Sequence, residues 1–320
     1  MKAALYDPAG GYYKRSDLKR WGREGDYRTS PERSRLFAST FARYLAKLYD
    51  ELQKPPQWTI VEAGGGRGDF AAGVLQSLQE RFPHVFAATR YVPIETTEEL
   101  EKLPPINPGV FFSNELLDAF PIHRLIQDAG GLAEFYVDVD VEGEFVWSKG
   151  PLSTARLQEF CREYSVELEN TQIIEINLEI DSWLAKVAAK LQQGFMITVD
   201  YGAESCDLYD AALRPQGTLR GFSRHNFVDD VLAQPGDYDI TASVNWTQVQ
   251  AAGERLGFTT VVFASQDKFL LDAGLVEELE RELTQAPTTA DKMSLTAGAR
   301  DMILPGGMAS SFQVLVQKRG

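Results

Sequence analysis

The sequence has little cysteine and little histidine, the residue types that most often build disulfide frameworks and zinc sites. Among its 320 residues are only Cys161, Cys206, His84, His123 and His225. The two cysteines lie far apart, with no histidine pattern beside them, so neither a zinc-binding spacing nor a disulfide framework is indicated. We therefore expect reduced, structural thiols and no metal site.

Long apolar runs are also missing. No stretch approaches the length of about 18 apolar residues that a membrane-spanning helix needs. The start of the chain, MKAALYDPAGG, lacks the apolar core of a secretory signal. These absences predict a soluble, cytoplasmic protein without a membrane span.

Positive charge is scarce compared with negative charge. The chain has 32 Lys and Arg residues against 46 Asp and Glu residues, which gives a net charge of −14. Nucleic acids are bound mainly by basic side chains that neutralise phosphates, so this balance argues against DNA or RNA as a substrate. A cationic partner or a protein is easier to accommodate. The length is sufficient for one large domain with insertions.

The most informative stretch is residues 59–70, TIVEAGGGRGDF. A β-branched run ends in the acid Glu62 and is followed by a cluster that includes Gly64, Gly66 and Gly68. Apolar residues at helical spacing come next, so the pattern predicts a strand, a glycine turn and a helix. Glycines accept positive φ, and a helix start offers unpaired N–H groups. The turn is therefore suited to a small polar or anionic group.

The glycine spacing distinguishes between classes of cofactor. A phosphate-binding loop would need Gly-Lys-Ser/Thr, which is absent, and the dinucleotide fingerprint fails from Gly64 because Asp69 occupies its third place. From Gly66 the fingerprint survives only in the weaker form that ends in Ala71. The form acid-x-Gly-x-Gly-x-Gly resembles motif I of class I S-adenosylmethionine (SAM) methyltransferases, in which a second acid takes the ribose hydroxyls. RYVPIE is predicted to be the next strand, and Glu95 at its end fits the position of that second acid. The alternative interpretation of the glycine turn is an NAD-dependent oxidoreductase.

Two further predicted strands end in polar residues. GVFFSNE ends in Asn114 and Glu115, and FMITVDYG contains Asp200 near its end. In open α/β sheets the carboxyl ends of strands line the ligand crevice, so these side chains are site candidates. NELLDAFP places Glu115 and Asp118 on one face of a predicted short helix, where two carboxylates could hold a cation or accept a proton. The alternative for Asn114 is that it only caps this helix.

Other segments complete the outline of the fold. Amphipathic helices are predicted over residues 31–52 and 270–284, and a β-hairpin or small antiparallel insertion over residues 122–147. TTVVFAS and SSFQVLVQK are interpreted as late strands of the main sheet. No internal repeat is present.

Two segments without a regular pattern could cover a site. The first 30 residues, rich in Gly, Tyr and Asp, are interpreted as a loop, which is functional if ordered, or else as a loose tail. A long polar loop that contains GTLRGFSRH and QPGDYDITASVNW carries His225 and Asp239. It is interpreted as a lid or substrate wall, and the alternative is an ordinary solvated loop.

In their order along the chain, these motifs resemble the MidA-type family of SAM-dependent methyltransferases, whose mitochondrial member is a complex I assembly factor acting as a protein arginine methyltransferase. The resembling segments span almost the entire chain, and they are ALYDPAGGYY, GREGDYRTSP, VEAGGGRGDFA, SNELLDAFPIHRL, FMITVDYG, GTLRGFSRH and PGDYDITASVNWTQV. The resemblance implies a class I, Rossmann-like α/β fold. Its expected features are a mostly parallel sheet with helices on both faces, an N-terminal lid segment and a small antiparallel insertion.

The expected domain boundaries follow from the same resemblance. Residues 1–54 would form the N-terminal lid and helix, and residues 55–320 the methyltransferase domain. Insertions are expected near residues 122–170 and 203–241. The stretch between the second strand and GVFFSNE is short, which predicts that one strand of the sheet is lost.

The resemblance also implies a SAM site and a protein substrate, with arginine as the modified residue. The residues expected to bind SAM are Gly25, Asp26, Thr29, Glu62, Gly64, Gly66, Gly68, Glu95, Asn114 and Glu115. Carboxylates would hold a guanidinium group by bidentate pairing. The catalytic candidates are Glu115 and Asp118, followed by His225 and Asp239.

Two residues depart from the family pattern. Where the family has His and Asp in DITAHVDF, this sequence has Ser243 and Asn245. If those side chains help to bind the methyl acceptor, the substrate or the activity differs. The departure motivates a second hypothesis, a SAM-binding assembly factor or chaperone of a partner protein that acts without turnover.

Overall fold

The computed structural model describes residues 1–18, 35–223, 226–228, 230–304 and 311–320. The predicted site residues Gly25, Asp26, Thr29 and His225 lie outside these ranges. The described helices are α1 (Lys2–Tyr6), α2 (Arg35–Glu51), α3 (Asp69–Arg81), α4 (Pro83–Ala88), α5 (Thr97–Lys102), α6 (Ala155–Glu163), α7 (Glu179–Lys190), α8 (Ser205–Leu208), α9 (Trp246–Arg255), α10 (Gln266–Asp272), α11 (Leu275–Gln285) and α12 (Thr289–Ile303).

The strands are numbered in the order in which they occur along the chain. They are β1 (Trp58–Ala63), β2 (Thr89–Ile94), β3 (Gly109–Asn114), β4 (His123–Asp128), β5 (Gly131–Val139), β6 (Phe145–Gly150), β7 (Ile173–Ile176), β8 (Gly194–Ala203), β9 (Arg220–Ser223), β10 (Asn226–Val228), β11 (Asp239–Thr241), β12 (Val244–Asn245), β13 (Thr259–Ser265) and β14 (Phe312–Arg319).

The described residues form two compact units. The sheet unit comprises the described residues within Thr29–Leu116, Trp183–Tyr201 and Ala252–Gly320. The antiparallel unit comprises those within Met1–Arg28, Leu117–Ser182 and Gly202–Ala251. The boundary near residue 54 and the insertion limits expected from the sequence stay predictions.

The main sheet has the strand order β13-β14-β8-β3-β1-β2. The pairs β2 with β1, β1 with β3 and β3 with β8 are parallel, whereas β14 runs antiparallel to both β8 and β13. The predicted α/β fold with a mostly parallel sheet is therefore confirmed. In the described parts of the chain β2 is an edge strand, and only α5 lies between it and β3, which confirms the predicted loss of a strand.

An aromatic cluster covers one face of the sheet in the sheet unit. The ring of Phe41 on α2 lies 5.2 Å from that of Phe112 and 5.3 Å from that of Phe269, and Phe70 stacks on Phe112 at 4.2 Å. The helix predicted over 31–52 is therefore confirmed over residues 35–51 as α2, with its apolar face on the sheet. The single helix predicted over 270–284 is wrong, because Gly274, at φ 98°, separates α10 from α11.

The antiparallel unit holds two small sheets. One has the order β6-β5-β4-β7 and the other the order β10-β9-β11, and all neighbours within them are antiparallel. The predicted antiparallel insertion is thus confirmed. The interpretation of the segment with GTLRGFSRH and QPGDYDITASVNW as a polar loop is wrong where this segment forms β9, β10 and β11.

The N-terminal segment is ordered more regularly than its composition predicts. Residues of α1 and of the 3-10 turn Tyr12–Lys14 pack against the second small sheet, with Leu5 and Tyr12 buried beside Tyr238 and Ile240. The interpretation of the first 30 residues as loop is therefore wrong for residues 2–6. No described helix combines the length and apolar character that crossing a membrane requires.

Candidate functional site

The glycine turn after β1 has the backbone that only glycine adopts at low cost. Gly64, Gly66 and Gly68 have φ angles of 75°, 55° and 78°, in the left-handed region that disfavours other residues. A Cβ atom at Gly65 would lie 2.9 Å from the carboxyl carbon of Glu62. Gly68 then occupies the position before α3, whose first N–H groups carry the partial positive charge of a helix start. The turn is therefore shaped to keep backbone and carboxylate close together.

Glu62 is a buried carboxylate at the end of β1. Its Oε2 atom accepts a hydrogen bond from the hydroxyl of Tyr91 at 2.9 Å. Burial raises the pKa of Glu62 to about 7, the Tyr91 hydrogen bond opposes this rise, and the charge of Glu95 adds to it. Glu62 thus changes its protonation state near neutral pH and would gain from a positive charge brought next to it.

Glu95, at the end of the neighbouring strand β2, contacts the glycine turn. It follows β2 directly, and its Oε1 atom accepts a hydrogen bond from the N–H of Gly66 at 2.9 Å. The next residue, Thr96, begins α5 with a capping box in which Glu99 takes part. The position of the Glu95 backbone is therefore fixed by a helix start, while its exposed carboxylate remains beside the glycines.

The end of β3 places a polar pair beside the turn in the same unit. Asn114 donates from Nδ2 to Oε1 of Glu115 at 2.9 Å, and the buried Oδ1 of Asn114 has no hydrogen-bond partner among the described residues. A buried acceptor without a partner is costly unless a ligand or water satisfies it. Asn114 is therefore suited to accept a hydrogen bond from a ligand.

The short helix predicted from NELLDAFP is wrong. Glu115 has a φ of 53°, a left-handed conformation that a helix cannot continue, and residues 117–120 form a turn. Asn114 therefore caps no helix here. Since residues 115–120 form no helix, the expected pair of Glu115 and Asp118 on one helix face does not form.

Asp200 lies at a strand end that the sequence placed at the ligand crevice, although it was not among the residues predicted to bind SAM or to act in catalysis. Its fully buried carboxylate accepts a hydrogen bond from the N–H of Leu116 at 3.2 Å and from the N–H of Tyr201 at 2.9 Å. It thereby fixes the chain just after Glu115. The available signal was its place in FMITVDYG, an acid near the end of a buried strand.

The antiparallel unit brings two predicted acids together around one tyrosine. Asp118 is 5% exposed and Asp239 is 6% exposed. Burial raises the pKa of Tyr6, and the nearby charges of Asp239 and Asp118 raise it further. Both carboxylates are therefore within electrostatic range of the Tyr6 ring.

Two N-terminal tyrosines complete this cluster. The hydroxyl of Tyr6 donates to the carbonyl of Ala119 at 2.9 Å, and that of Tyr13 donates to Oδ1 of Asp239 at 2.8 Å. The rings of Tyr6 and Tyr13 stack with their centroids 5.4 Å apart. Neither tyrosine was among the candidates from the sequence, although both lie in ALYDPAGGYY. Buried carboxylates beside aromatic rings suit a planar cation.

Asn245, one of the two departures from the family pattern, is engaged in structural hydrogen bonds. Its Oδ1 accepts from the N–H of Gln248 at 3.2 Å, as a capping residue of α9 does, and from the hydroxyl of Ser205 at 3.1 Å. Its Nδ2 donates to the hydroxyl of Tyr209 at 3.3 Å. Asparagine and aspartate cap helices about equally well, so this exchange preserves the start of α9.

The residues around the glycine turn and the acidic residues near Tyr6 are suited to different ligands. The glycine turn with Glu62, Glu95 and Asn114 offers carboxylate and amide acceptors to a ligand that carries positive charge and hydroxyl groups. Asp118 and Asp239 could hold a cation or accept a proton. Among the described residues no group of three or more His, Cys, Asp or Glu side chains is arranged to hold a metal ion.

Comparison with known proteins gives two kinds of match. Residues 40–106 and 97–264 match the sequence profile of a family described as S-adenosyl-L-methionine-dependent methyltransferases. The curated "Protein arginine methyltransferase NDUFAF7, mitochondrial" of Mus musculus is 24% identical, over 98% of this chain and 78% of that protein. The protein of the same name from Danio rerio is 26% identical, over 98% and 81%.

A solved structure shows similarity over nearly the whole chain. It is the crystal structure of a protein from Burkholderia thailandensis bound to S-adenosyl-homocysteine, which is 28% identical to this chain. The match covers 99% of this chain and 86% of that one, with a TM-score of 0.85.

Proposed function

Because this chain belongs to the family of S-adenosyl-L-methionine-dependent methyltransferases, we propose that it transfers the methyl group to an arginine side chain of a protein. The cofactor is S-adenosyl-L-methionine, and the reaction is a methyl transfer. The observation that carries the choice of acceptor is the pair of buried carboxylates, Asp118 and Asp239, beside Tyr6. The curated relatives are named protein arginine methyltransferases, which supports the same choice.

The sheet unit supplies the residues to which we assign the cofactor. S-adenosyl-L-methionine supplies a methyl group bound to a positively charged sulfur, which a nucleophile can attack. The backbone of Gly64, Gly66 and Gly68 lets the cofactor approach closely, since no side chain stands in the way. The carboxylate of Glu62 would compensate positive charge, and that of Glu95 would accept hydrogen bonds from the ribose hydroxyls.

The remaining cofactor assignments follow from β3. Asn114 and Glu115 would stand beside the methionine or adenosine part, where the buried Oδ1 of Asn114, which has no partner among the described residues, would accept a hydrogen bond. The carboxylate of Glu115 accepts a hydrogen bond from Nδ2 of Asn114 and thereby orients that amide, so we give Glu115 a positioning role. The assignments of Gly25, Asp26 and Thr29 stay predictions.

The antiparallel unit supplies the residues to which we assign the acceptor. A guanidinium group is planar and always charged, and paired carboxylates hold it by charge-assisted hydrogen bonds. Asp118 and Asp239 fill this role and can take the proton that the methylated nitrogen releases. The stacked rings of Tyr6 and Tyr13 offer a flat surface to the cation. The role of His225 stays a prediction.

The test is to identify the amino acid that receives the methyl group. Purified protein is incubated with tritium-labelled S-adenosyl-L-methionine and with extract from cells that lack it, and the labelled proteins are hydrolysed and separated. Label in methylarginine, absent with Gly66→Val, is the expected result. Label in methyl-lysine or in a small molecule only would contradict the arginine proposal. Cofactor binding without a labelled product would favour the assembly-factor hypothesis that Ser243 and Asn245 motivated.

The cytoplasmic location stays a proposal too. The curated relatives are named mitochondrial proteins, so the two locations are the alternatives to be compared. Fractionation of the source cells followed by immunoblotting distinguishes them.

A further inference from the structure

The hairpin formed by β5 and β6 exposes an apolar face. Val137, Val139 and Phe145 are 47%, 55% and 46% exposed. Val139 lies directly opposite Phe145, and Val137 lies opposite Trp147, so these side chains share one face of the sheet. Exposed apolar side chains that are contiguous mark interaction surfaces more often than single ones do.

Acidic residues lie at the turn of the same hairpin and, with Asp138, on its other face. Asp138, Asp140, Glu142 and Glu144 alternate with the apolar residues in VDVDVEGEF, and no Lys or Arg occurs between residues 124 and 149. Successive side chains of a strand point to opposite faces of the sheet. The side chain of Asp138 therefore lies on the face opposite to that of Val137 and Val139. Asp138, Glu142 and Glu144 are exposed.

Hydrogen bonds within its turn fix the shape of the hairpin. Oδ1 of Asp140 accepts hydrogen bonds from the N–H groups of Glu142 and Glu144, both at 2.9 Å. The N–H of Asp140 also donates to the carbonyl of Glu144 at 2.9 Å, and Gly143 takes a φ of 89°. The apolar and acidic faces are therefore presented on a preformed ribbon.

One edge of this ribbon is open within the described residues. The four-stranded sheet has the order β6-β5-β4-β7, so that β6 pairs only with β5 there. An edge strand offers N–H and C=O groups to which an extended peptide can add as a further strand. Such a peptide would place alternate side chains against the two different faces of the hairpin.

We propose that the β5–β6 hairpin binds an extended segment of the protein acceptor in which apolar and basic residues alternate. The apolar side chains would continue the row that contains Phe145 and Trp147, and the basic ones would lie on the side of Asp138 and Glu144. The proposal rests on the proposed function for the protein nature of the acceptor. Charge complementarity selects the occupant, because residues 138–144 carry four carboxylates and no Lys or Arg.

The test uses a defined peptide rather than an extract. A fluorescein-labelled peptide of about eight residues that alternates arginine and valine, long enough for one strand, is titrated with the protein, and fluorescence anisotropy is recorded. Peptides that alternate arginine with serine, or glutamate with valine, are compared with it. We expect the arginine–valine peptide to bind at least about tenfold more tightly than either, and its binding to weaken as salt screens the charges.

Two double variants separate the two faces. Glu142→Lys with Glu144→Lys reverses the acidic side, and Val139→Thr with Phe145→Thr removes the apolar side while keeping residues that favour strands. Each is expected to weaken binding of the arginine–valine peptide by about tenfold. Circular dichroism and the affinity for S-adenosyl-L-methionine should be unchanged in both.

Matched variants elsewhere on the surface serve as controls. Glu254→Lys with Glu280→Lys gives the same change of net charge at exposed positions of the sheet unit. Val261→Thr with Val276→Thr removes equally exposed valines. Neither should alter peptide binding. If the lysine control weakened binding as much as the hairpin variant did, the attraction would be nonspecific and the proposal wrong.

Two further results would overturn the proposal. One is failure of the wild-type protein to bind the arginine–valine peptide. In that case, labelled methylarginine in the acceptor experiment would still support the proposed function. The other is a wild-type dimer that Val139→Thr with Phe145→Thr converts to monomers in sedimentation, because the hairpin would then bind a second copy of the chain.

Discussion

Tyr91 on β2 donates its hydroxyl hydrogen to Oε2 of Glu62 at the end of β1, over 2.9 Å. The two strands are parallel neighbours, so the bond joins them next to the glycine turn. The bond favours the ionised form of Glu62, against both burial and the charge of Glu95. Tyr91 therefore lowers the pKa of Glu62 and increases its negative charge near neutral pH.

Tyr91→Phe should weaken binding of S-adenosyl-L-methionine. Loss of the hydrogen bond raises the pKa of Glu62 further above about 7, so less of the carboxylate is ionised at neutral pH. We expect about three- to tenfold weaker affinity at pH 7 and a smaller difference at pH 9. Calorimetric titration at several pH values measures this. Tyr49→Phe removes a hydroxyl bonded to Pro55 elsewhere in the sheet unit and is the control, and equal effects of the two variants would contradict the assignment.

Glu62→Gln should change how stability depends on pH. The folded-state pKa of Glu62 is raised from 4.5 to about 7, so between these values the folded state binds more protons than the unfolded state. The stabilisation is fully present below pH 4.5 and is lost as the pH rises through about 7.

The glutamine variant lacks this pH-dependent term. Relative to wild type, its free energy of unfolding should therefore rise between pH 5 and pH 8, by about 3 kcal/mol at most. Urea unfolding without the cofactor at each pH provides the comparison. A difference between the two proteins that stays constant with pH would show that Glu62 titrates near its ordinary value.

Asp118→Asn and Asp239→Asn should lower turnover without affecting the cofactor. Asparagine keeps the shape of the side chain but neither attracts a guanidinium group nor accepts its proton. We expect kcat to fall by about a hundredfold in each variant, with the affinity for S-adenosyl-L-methionine unchanged. Radiolabel transfer and calorimetry measure the two quantities. The exposed Asp207→Asn in the same unit is the control, and full turnover in the Asp118 variant would remove that residue from the active role.

Asn245→Ala should destabilise the protein while leaving each folded molecule active. The substitution removes the acceptor for the N–H of Gln248 at the start of α9 and the bond to Tyr209. Loss of such a cap costs about 1 to 2 kcal/mol of unfolding free energy, whereas Asn245→Asp should cost less because aspartate also caps. Denaturant unfolding and turnover per folded molecule are compared, and a lower turnover in the aspartate variant would point to a direct role in catalysis.

The parts of the fold that the sequence predicted are those decided by local pattern. The strand, glycine turn and helix around residues 59–81 follow from residue types that are adjacent in the chain. Glu115 could not be predicted in the same way. Its N–H bonds to the carbonyl of Val199 on the neighbouring strand, and this distant partner, rather than the helical spacing of NELLDAFP, accompanies its left-handed conformation.

The grouping of the residues assigned to the methyl acceptor could not be predicted from local sequence either. Asp118 and Asp239 were each chosen as polar residues after predicted strands or in a polar loop, but nothing in their neighbouring residues indicated that they meet around Tyr6. The short strands β9, β10 and β11 bring Asp239 into place, and such strands are defined by their partners more than by their own composition.

The position of β14 in the main sheet affects how the protein can be synthesised. Phe312–Arg319 lies between β8 and β13 and is the only partner of β13 in the described residues. A nascent chain released before Phe312 would leave β13 unpaired and one edge of β8 uncovered, and exposed edges of this kind invite aggregation. The sheet can therefore be completed only after translation has passed residue 319.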